Sequence, residues 1–256
     1  SLRAKGTIVQ VPYEKKWVYP TQKIIEKINE KTRVIVICSP ANPTGDLVPE
    51  EDIIKILDTT PKETIVILDE AYYRFTTRIN KSLKHLVQKY DNLVVSHTFS
   101  KDYGLAGIRL GYLISHPQNL EHIYKSVEPF SVNTIAVKLA MAAIDDQEHV
   151  EKYVKAVREC RDYFCEQVKD LAQEIYPSEA NFVLLNIGSR AEWYHSKFLK
   201  NKIKIRRYPN YPELSRYIRL TLGSEDQMQQ VISLLKDYEL IIFDIDGVLI
   251  DENNHR

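Results

Sequence analysis

Three short apolar runs occur in the first hundred residues, and each is followed by a polar loop. They occupy residues 33–38 (RVIVIC), 64–68 (TIVIL) and 93–96 (LVVS). Apolar runs without alternation are typical of strands that are buried on both faces. Amphipathic stretches at residues 49–57 and 82–88 separate the runs and predict helices. Strands that alternate with helices predict crossover connections and a mostly parallel sheet, continued by residues 111–115 as a fourth strand.

The pattern changes in the second half of the chain. An Ala-rich apolar stretch at residues 133–144 predicts a helix. Apolar residues then recur at steps of mostly three and four, which predicts one long amphipathic helix ending before Pro177: Val150, Tyr153, Val154, Val157, Phe164, Val168, Leu171 and Ile175. Shorter elements follow, with strands predicted at residues 181–187, 204–207 and 217–222 and helices at 191–199 and 224–236. The fold class is therefore α/β, with a smaller C-terminal α+β domain.

We expect the chain to contain three units. Residues 1–150 form part of a large α/β domain, residues 151–236 hold a bridging helix and the small C-terminal domain, and residues 239–256 begin a further domain. The first residue is Ser rather than Met, and residues 7–11 resemble a strand. At the other end, the strand-like residues 240–243 (LIIF) are followed by few residues. These features predict that the sequence is cut within a domain at both ends.

Composition excludes several classes of protein. Among 256 residues, Lys+Arg and Asp+Glu balance at 35 each, so no basic field exists to attract nucleic acid or an acidic membrane surface. No run of 18 apolar residues and no signal peptide is present, so we expect no membrane span. Three cysteines without a C-x-x-C pair predict free or buried thiols in a reducing, cytoplasmic compartment. The histidines form no metal-binding pattern.

Each of the three loops after the apolar runs carries a polar group with a chemical use. These groups are Asn42, Asp69 and Lys101, and ligands of open parallel sheets bind at the carboxyl ends of the strands. An amide, a carboxylate and an amine on one edge suit pyridoxal phosphate (PLP), which needs a lysine for a Schiff base and an acid beside its ring nitrogen. Tyr72 would join Asn42 at the 3′-oxygen. The phosphate would be bound by Thr98, Ser100 and Arg109. Taken singly, each residue also has an ordinary structural interpretation, as a turn, a cap or a solvated side chain.

The motifs that carry these residues resemble a known family. ANPTG, VILDEAYYRF and TFSKDYGLAGIRLGY are similar to the fold-type I, class I/II PLP-dependent aminotransferases, and within them to the histidinol-phosphate aminotransferases, over residues 6–236. The resemblance implies the PLP-dependent transferase fold. It implies that Lys101 is the Schiff-base lysine and Asp69 the partner of the pyridinium, and that Lys101, Asp69 and Tyr72 are the catalytic residues. The implied cofactor contacts are the residues of the three loops: Asn42, Asp69, Tyr72, Thr98, Ser100, Lys101 and Arg109.

The same resemblance extends to the substrate site. IRLTLG matches the family's R-x-T-x-G strand, which makes Arg219 the anchor for an anionic substrate group. IKIRRYP supplies a second arginine, Arg206, with Arg207 as the alternative, and EANFVLL places Asn181 near the substrate carboxylate. Many family members have serine where this chain has Thr98. The resemblance also implies that an N-terminal part is missing and that the protein is a homodimer.

A second motif lies at the C-terminal end. FDIDGVLIDE follows a strand-like run and resembles the opening motif of haloacid-dehalogenase (HAD)-like phosphatases. In that family the first aspartate is the nucleophile and the second the general acid/base, and both contact Mg²⁺. By position these are Asp244 and Asp246. The alternative interpretation is an acidic surface tail.

The sequence thus predicts a PLP-dependent aminotransferase that acts on small amino and 2-oxo acids. Transamination between histidinol phosphate and 2-oxoglutarate, in histidine biosynthesis, is favoured, because a phosphatase acting on the product would follow in the same chain. An aromatic aminotransferase or a threonine-phosphate decarboxylase on the same scaffold remains an alternative. So do a non-catalytic or regulatory fragment and a protein whose main activity is the phosphatase.

Overall fold

The computed structural model describes residues 6–13, 18–78 and 81–237. The predicted strand at residues 240–243 and the predicted HAD residues Asp244 and Asp246 lie outside them. Within the described residues, no helix is long and apolar enough to cross a membrane.

The first sheet has four strands in the order β1-β2-β3-β4. They are β1 (Val34–Cys38), β2 (Ile65–Asp69), β3 (Leu93–Thr98) and β4 (Gly111–Ser115). Strands β1, β2 and β3 are parallel, as predicted, but β4 runs antiparallel to β3. A parallel partner needs a long crossover. The connection from β3 to β4 holds only a short 3₁₀ turn, Ala106–Ile108, so the chain reverses direction instead.

Helices cover one face of this sheet. Residues of α1 (Thr21–Lys27) and α2 (Glu50–Thr59) share a hydrophobic core with the strands, and α3 (Pro117–Tyr124) follows β4. Three acidic residues in the first turn of α2 favour its start through the helix dipole. Its buried residues Ile53 and Ile56 join Ile37 and Leu68 of the strands in one hydrophobic core. The helix expected at residues 82–88 is a 3₁₀ helix, Leu83–Gln88.

Two helices lead to the second half of the molecule, α4 (Thr134–Asp145) and α5 (Gln147–Val168). The long helix was expected to extend to Ile175, which was wrong. Ile175 belongs to strand β5 (Glu174–Ile175), because the chain beyond α5 pairs with β6 (Phe182–Asn186). The buried guanidinium of Arg161 on α5 donates hydrogen bonds to the carbonyl oxygens of Phe75 (3.1 Å) and Ala180 (3.2 Å). This side chain therefore links α5 to the segments that follow β2 and precede β6.

The second sheet is antiparallel, in the order β5-β6-β8-β7. The remaining strands of this sheet are β7 (Arg206–Arg207) and β8 (Tyr217–Thr221). The helices in this part of the chain are α6 (Ala191–Lys200) and α7 (Glu225–Lys236). A capping box between Ser224 and Gln227 starts α7. Large buried side chains from α5, α6 and the strands fill a second core: Phe164, Phe182, Tyr194, Phe198 and Leu185. The expected α/β class with a mostly parallel sheet and a smaller α+β part is confirmed by the two sheets.

The expectation of a strand near the start of the chain was wrong. Residues 7–11 have no regular secondary structure, and residues 6–10 are exposed. A strand-like sequence forms a strand only when another strand pairs with it, and neither of the two sheets includes this segment. The division of the chain into units at residues 150 and 236 stays a prediction.

Candidate active site

The carboxyl ends of β2 and β3 border an open pocket of about 410 Å³. The pocket is lined by Asp69, Ala71, Ser96, His97, Thr98, Ser100, Lys101, Arg109, Leu110 and Gly111. Parallel strands deliver their carboxyl ends to the same edge, so the last residues of β2 and β3 meet there. Five of the residues singled out in the sequence therefore face one pocket, among them both Asp69 and Lys101.

The carboxylate of Asp69 is held in a fixed orientation. Asp69 is the last residue of β2 and pairs with Ser96 of β3. The Ser96 hydroxyl and the backbone N–H of Ala71 each donate a hydrogen bond of 3.1 Å to Oδ1 of Asp69. Because both bonds go to one oxygen, Oδ2 is the oxygen that can bind a ligand.

Lys101 lies in the tight turn that follows β3. The N–H of Gly104, which has a φ of 66°, donates to the Lys101 carbonyl at 3.1 Å and closes this turn. The Lys101 amine lies 5.4 Å from the ring centroid of the buried Tyr72, within the range of a cation–π contact. The loop after β2 and the loop after β3 thus bring Tyr72 and Lys101 together.

Thr98, Ser100 and Arg109 line the same pocket but differ in how far their polar groups are already engaged. The Thr98 hydroxyl donates to the Leu110 carbonyl at 3.4 Å and accepts the N–H of Ser100 at 3.1 Å. Its hydrogen-bonding capacity is therefore largely used within the loop. Arg109 has a left-handed backbone (φ 55°), which is uncommon for a residue with a side chain, and one of its five N–H groups donates to Ala106.

Asn42 reaches the second sheet. Nη1 of Arg219 donates a hydrogen bond to Oδ1 of Asn42, across 177 residues of sequence. The Asn42 loop is shaped by Gly45, whose φ of 84° and closeness to Ser178 exclude a side chain: a Cβ there would lie 2.2 Å from the Ser178 hydroxyl oxygen. Since Oδ1 of Asn42 is bound to Arg219, its amide NH₂ is the end that can donate to a ligand.

Two arginines stand directly opposite each other on the second sheet. Arg206 of β7 pairs with Arg219 of β8, so both side chains project from the same face. The Arg219 guanidinium lies 4.9 Å from the ring centroid of Phe182, and its buried Nε has no hydrogen-bond partner among the described residues. Phe182 in turn contacts Tyr72 edge-on at 5.2 Å between centroids. This aromatic pair connects Arg219 to the Lys101 amine.

The register of β7 separates the two arginines that the sequence left as alternatives. Arg207 pairs with Ile218 rather than Arg219, and its guanidinium forms an ion pair with Glu192 of α6. The geometry therefore favours Arg206. Asn181 lies directly before β6, where its carbonyl accepts the N–H of Leu222 at 2.9 Å. Its expected contact with a substrate carboxylate stays a prediction.

A buried polar network that includes the pocket residue His97 was missed in the sequence. Nε2 of His97 lies 2.7 Å from Oε2 of Glu70, within hydrogen-bond distance, and the two side chains are 3% and 2% exposed. The other ring nitrogen of His97 lies 2.8 Å from the hydroxyl of Tyr112, and Tyr73 stacks on the His97 ring at 4.6 Å. Glu70 follows Asp69, and His97 precedes Thr98. The sequence contained a signal for this pair, because each of the two polar residues lies within two positions of the end of an apolar run.

A second pair, also unrecognised in the sequence, lies near this network. Asp102 is buried and forms an ion pair of 3.1 Å with Arg74. Burial raises the pKa of the Asp102 carboxyl to about 6, although the positive charge of Arg74 opposes the shift. Asp102 directly follows Lys101, so its ion pair with Arg74 helps to fix the segment that carries the Lys101 amine. The described residues include no cluster of His, Cys, Asp and Glu that could hold a metal ion.

Comparison with known proteins identifies the family. The family model for aminotransferase class I and II matches residues 3–235. The histidinol-phosphate aminotransferase of Methanosarcina mazei is 38% identical over 213 residues, which is 82% of this chain and 56% of that protein. The histidinol-phosphate aminotransferase of Methanococcoides burtonii is 35% identical over 238 residues, which is 92% of this chain and 64% of that protein. The chain therefore spans less than two thirds of the length of these relatives.

Solved structures agree with this assignment. The crystal structure of histidinol-phosphate aminotransferase from Sinorhizobium meliloti in complex with pyridoxal-5′-phosphate superimposes with a TM-score of 0.81 at 25% identity. It covers 90% of this chain and 65% of that one. The family-model match extends through both sheets and through the loops that carry Asn42, Asp69 and Lys101. The chain belongs to the class I and II aminotransferase family.

Proposed function

We propose that this chain carries the cofactor and substrate sites of a PLP-dependent aminotransferase that exchanges an amino group between histidinol phosphate and 2-oxoglutarate. The observation that carries the proposal is that the Lys101 amine and the Asp69 carboxylate face one pocket at the carboxyl edge of the sheet. The names of the curated relatives support the choice of substrate. The complex of the Sinorhizobium meliloti protein supports the choice of cofactor.

The side chains of the pocket fit PLP. The Asp69 carboxylate, oriented by Ser96, can keep a proton on the pyridine nitrogen. The Ser100 hydroxyl and the Arg109 guanidinium suit a phosphate, with Thr98 as a further hydroxyl. Asn42 has its amide NH₂ left to donate to the 3′-oxygen, and we place the Tyr72 hydroxyl there as well. Each polar feature of the cofactor thus has a partner of matching chemistry.

Different residues of this chain then have different roles in transamination. When bound, PLP supplies an electron sink for the bond at the substrate Cα. Lys101 would attach the cofactor and would then act as general base at the Cα of the amino donor and as general acid at the Cα of the amino acceptor. Arg219 and Arg206 hold the anionic group of the substrate, for which a guanidinium offers two parallel donors. The bond from Arg219 to Asn42 couples the substrate group to the cofactor's 3′-oxygen side.

The role of Lys101 is tested with Lys101→Ala. We expect this variant to lose transamination and to lose the cofactor absorbance that remains with the protein after gel filtration. The control is Lys62→Ala, which removes an exposed loop lysine. Borohydride treatment followed by peptide mass mapping should place the cofactor on Lys101 in the wild type. Transamination by Lys101→Ala at the wild-type rate would refute the assignment.

The substrate is tested by comparing three compounds on the same preparation: histidinol phosphate, phenylalanine and threonine phosphate. We expect kcat/KM to be highest with histidinol phosphate and 2-oxoglutarate. A preference for phenylalanine would make the protein an aromatic aminotransferase, and release of CO₂ from threonine phosphate would make it a decarboxylase. Cofactor binding without turnover of any of the three would support a non-catalytic fragment.

The assembly and the location of the protein are part of the proposal. We infer a homodimer in the cytoplasm that acts on small amino and 2-oxo acids, with no nucleic-acid or membrane partner. The balanced charge and the free thiols of Cys38, Cys160 and Cys165 support this location. Analytical ultracentrifugation decides the oligomeric state, and a monomer at micromolar concentration would overturn that part.

The division into units and the C-terminal fusion are also proposals. The presence of two separate sheets supports a partial PLP-binding domain at residues 1–150 and a bridging helix with a small domain at residues 151–236. Limited proteolysis should cleave between them. The sequence of residues 239–256 supports a fused HAD-like phosphatase domain whose Asp244 and Asp246 bind Mg²⁺. Mg²⁺-dependent phosphatase activity of the longer gene product, lost in Asp244→Asn, is the expected result.

A further inference from the structure

The residue that follows strand β7, Tyr208, lies beside the two opposed arginines and was not among the residues singled out in the sequence. It is two positions from Arg206, so its side chain leaves the same face of the extended chain. The Arg206 guanidinium lies 5.7 Å from the centroid of the Tyr208 ring. Tyr208 is half-buried, which leaves one edge of its ring accessible to a ligand.

The two opposed arginines, Arg206 and Arg219, favour binding of an anion between them. Like charges directly opposite each other in an antiparallel pair destabilise the sheet, and Arg206 and Arg219 are such a pair. Nη1 of Arg219 is bound to Asn42, while its buried Nε has no hydrogen-bond partner among the described residues. A bound anion would neutralise the repulsion between the two guanidinium groups.

Tyr208 adds a third donor to this pair. A guanidinium can only donate hydrogen bonds, so the Arg206 guanidinium, which lies 5.7 Å from the Tyr208 ring centroid, leaves the phenol hydrogen of Tyr208 to donate to a ligand. Burial raises the pKa of the Tyr208 phenol, while the charges of Arg219 and Arg206 oppose the shift. The phenol therefore stays protonated at neutral pH and keeps its hydrogen as a donor.

We propose that Tyr208 is a specificity-determining residue whose hydroxyl donates to a third oxygen of a phosphomonoester held by Arg206 and Arg219. A carboxylate has two oxygens, which the two guanidinium groups already satisfy, whereas a phosphomonoester presents three terminal oxygens. The phenol therefore favours phosphorylated substrates over those that carry only a carboxylate. This inference rests on the proposed function, because it assigns the substrate group that this site receives.

The test compares Tyr208→Phe with wild type and with Tyr211→Phe as the matched control. Tyr211 is 60% exposed, and its ring centroid lies 6.5 Å from that of Tyr208. We expect Tyr208→Phe to lower kcat/KM for histidinol phosphate roughly tenfold or more, as for a lost hydrogen bond to a charged group. With phenylalanine the change should stay below about threefold, and Tyr211→Phe should resemble wild type with both substrates.

Calorimetric titration with inorganic phosphate and with acetate gives a second readout that needs no turnover. Tyr208→Phe should weaken binding of phosphate roughly tenfold and leave that of acetate nearly unchanged. Equal phosphate affinity in wild type and Tyr208→Phe, or no phosphate binding by the wild type, overturns the inference. If the wild type lacks transaminase activity but phosphate binding still depends on Tyr208, the proposed function fails and the phosphate subsite stands.

Discussion

Removing the carboxylate of Glu70 should destabilise this protein strongly. Glu70 is 2% exposed and accepts three hydrogen bonds, from His97 at 2.7 Å, from the backbone N–H of Leu83 at 2.8 Å and from the hydroxyl of Ser82. These donors come from β3 and from the 3₁₀ helix that precedes it. One carboxylate therefore holds together the segments that flank Asp69 and the pocket.

The magnitude follows from burial. Removing the carboxylate leaves three buried donors without an acceptor, which costs about 1–3 kcal/mol for each donor and at least about 3 kcal/mol in all. We therefore expect Glu70→Ala to lower the free energy of unfolding by about that amount. His97→Ala leaves Glu70 with the donors of Ser82 and Leu83 and should cost less. The coupling energy between the two positions in a double-mutant cycle should be about 1.5–3 kcal/mol, as for a hydrogen bond to a charged group.

Urea unfolding followed by circular dichroism provides the measurement for the four proteins of the cycle. The denaturant midpoint should shift while the slope of the free energy with urea stays constant, which indicates a change of stability rather than of compactness. Glu63→Ala is the matched control, since Glu63 is exposed, and should change stability by less than about 0.5 kcal/mol. A Glu70→Ala loss no larger than that of the control, or a coupling below about 0.5 kcal/mol, would refute the reasoning.

Two further predictions rest on ionisation. The folded-state pKa of Asp102, about 6, lies above the usual value of 3.8 because the group is buried, so the folded protein keeps this proton to higher pH than the unfolded chain does. The contribution of Asp102 to stability should therefore fall as pH rises from about 4 to about 6, and urea unfolding at several pH values should show that Asp102→Asn removes this loss. Burial also raises the pKa of the Cys165 thiol from 9.0 to about 11. Iodoacetamide at pH 8 should alkylate Cys165 roughly 100-fold more slowly in the folded protein than in urea, by mass spectrometry, and equal rates would contradict the burial.

The pocket followed from the sequence because it depends on local patterns. Continuous apolar runs identified β1, β2 and β3 within two residues of their observed ends. Parallel strands point the same way, so the residues after them had to meet at one edge. Asp69 and Lys101 do line one pocket. The motif residues placed there needed no knowledge of packing.

Other features depended on pairing that no local pattern encodes. The apolar spacing that predicted α5 extends as far as Ile175. In the structure, however, Ile175 pairs with β6 and lies in strand β5. The antiparallel direction of β4 depended on a connection without a crossover helix. In both places a local pattern fitted two structures, and the pairing partner decided between them.

The sequence alone determined which residues could do chemistry and at which strand ends they lie, because hydrophobic periodicity and turn residues act over a few positions. Only the tertiary structure decided which distant groups touch. It set Arg206, and not Arg207, opposite Arg219 in the register with β8, joined Arg219 to Asn42, and placed Tyr208 beside Arg206. The physical reason is that hydrogen bonds and ion pairs act over a few ångströms in space. The packing of the two sheets sets those distances, whatever the separation along the chain.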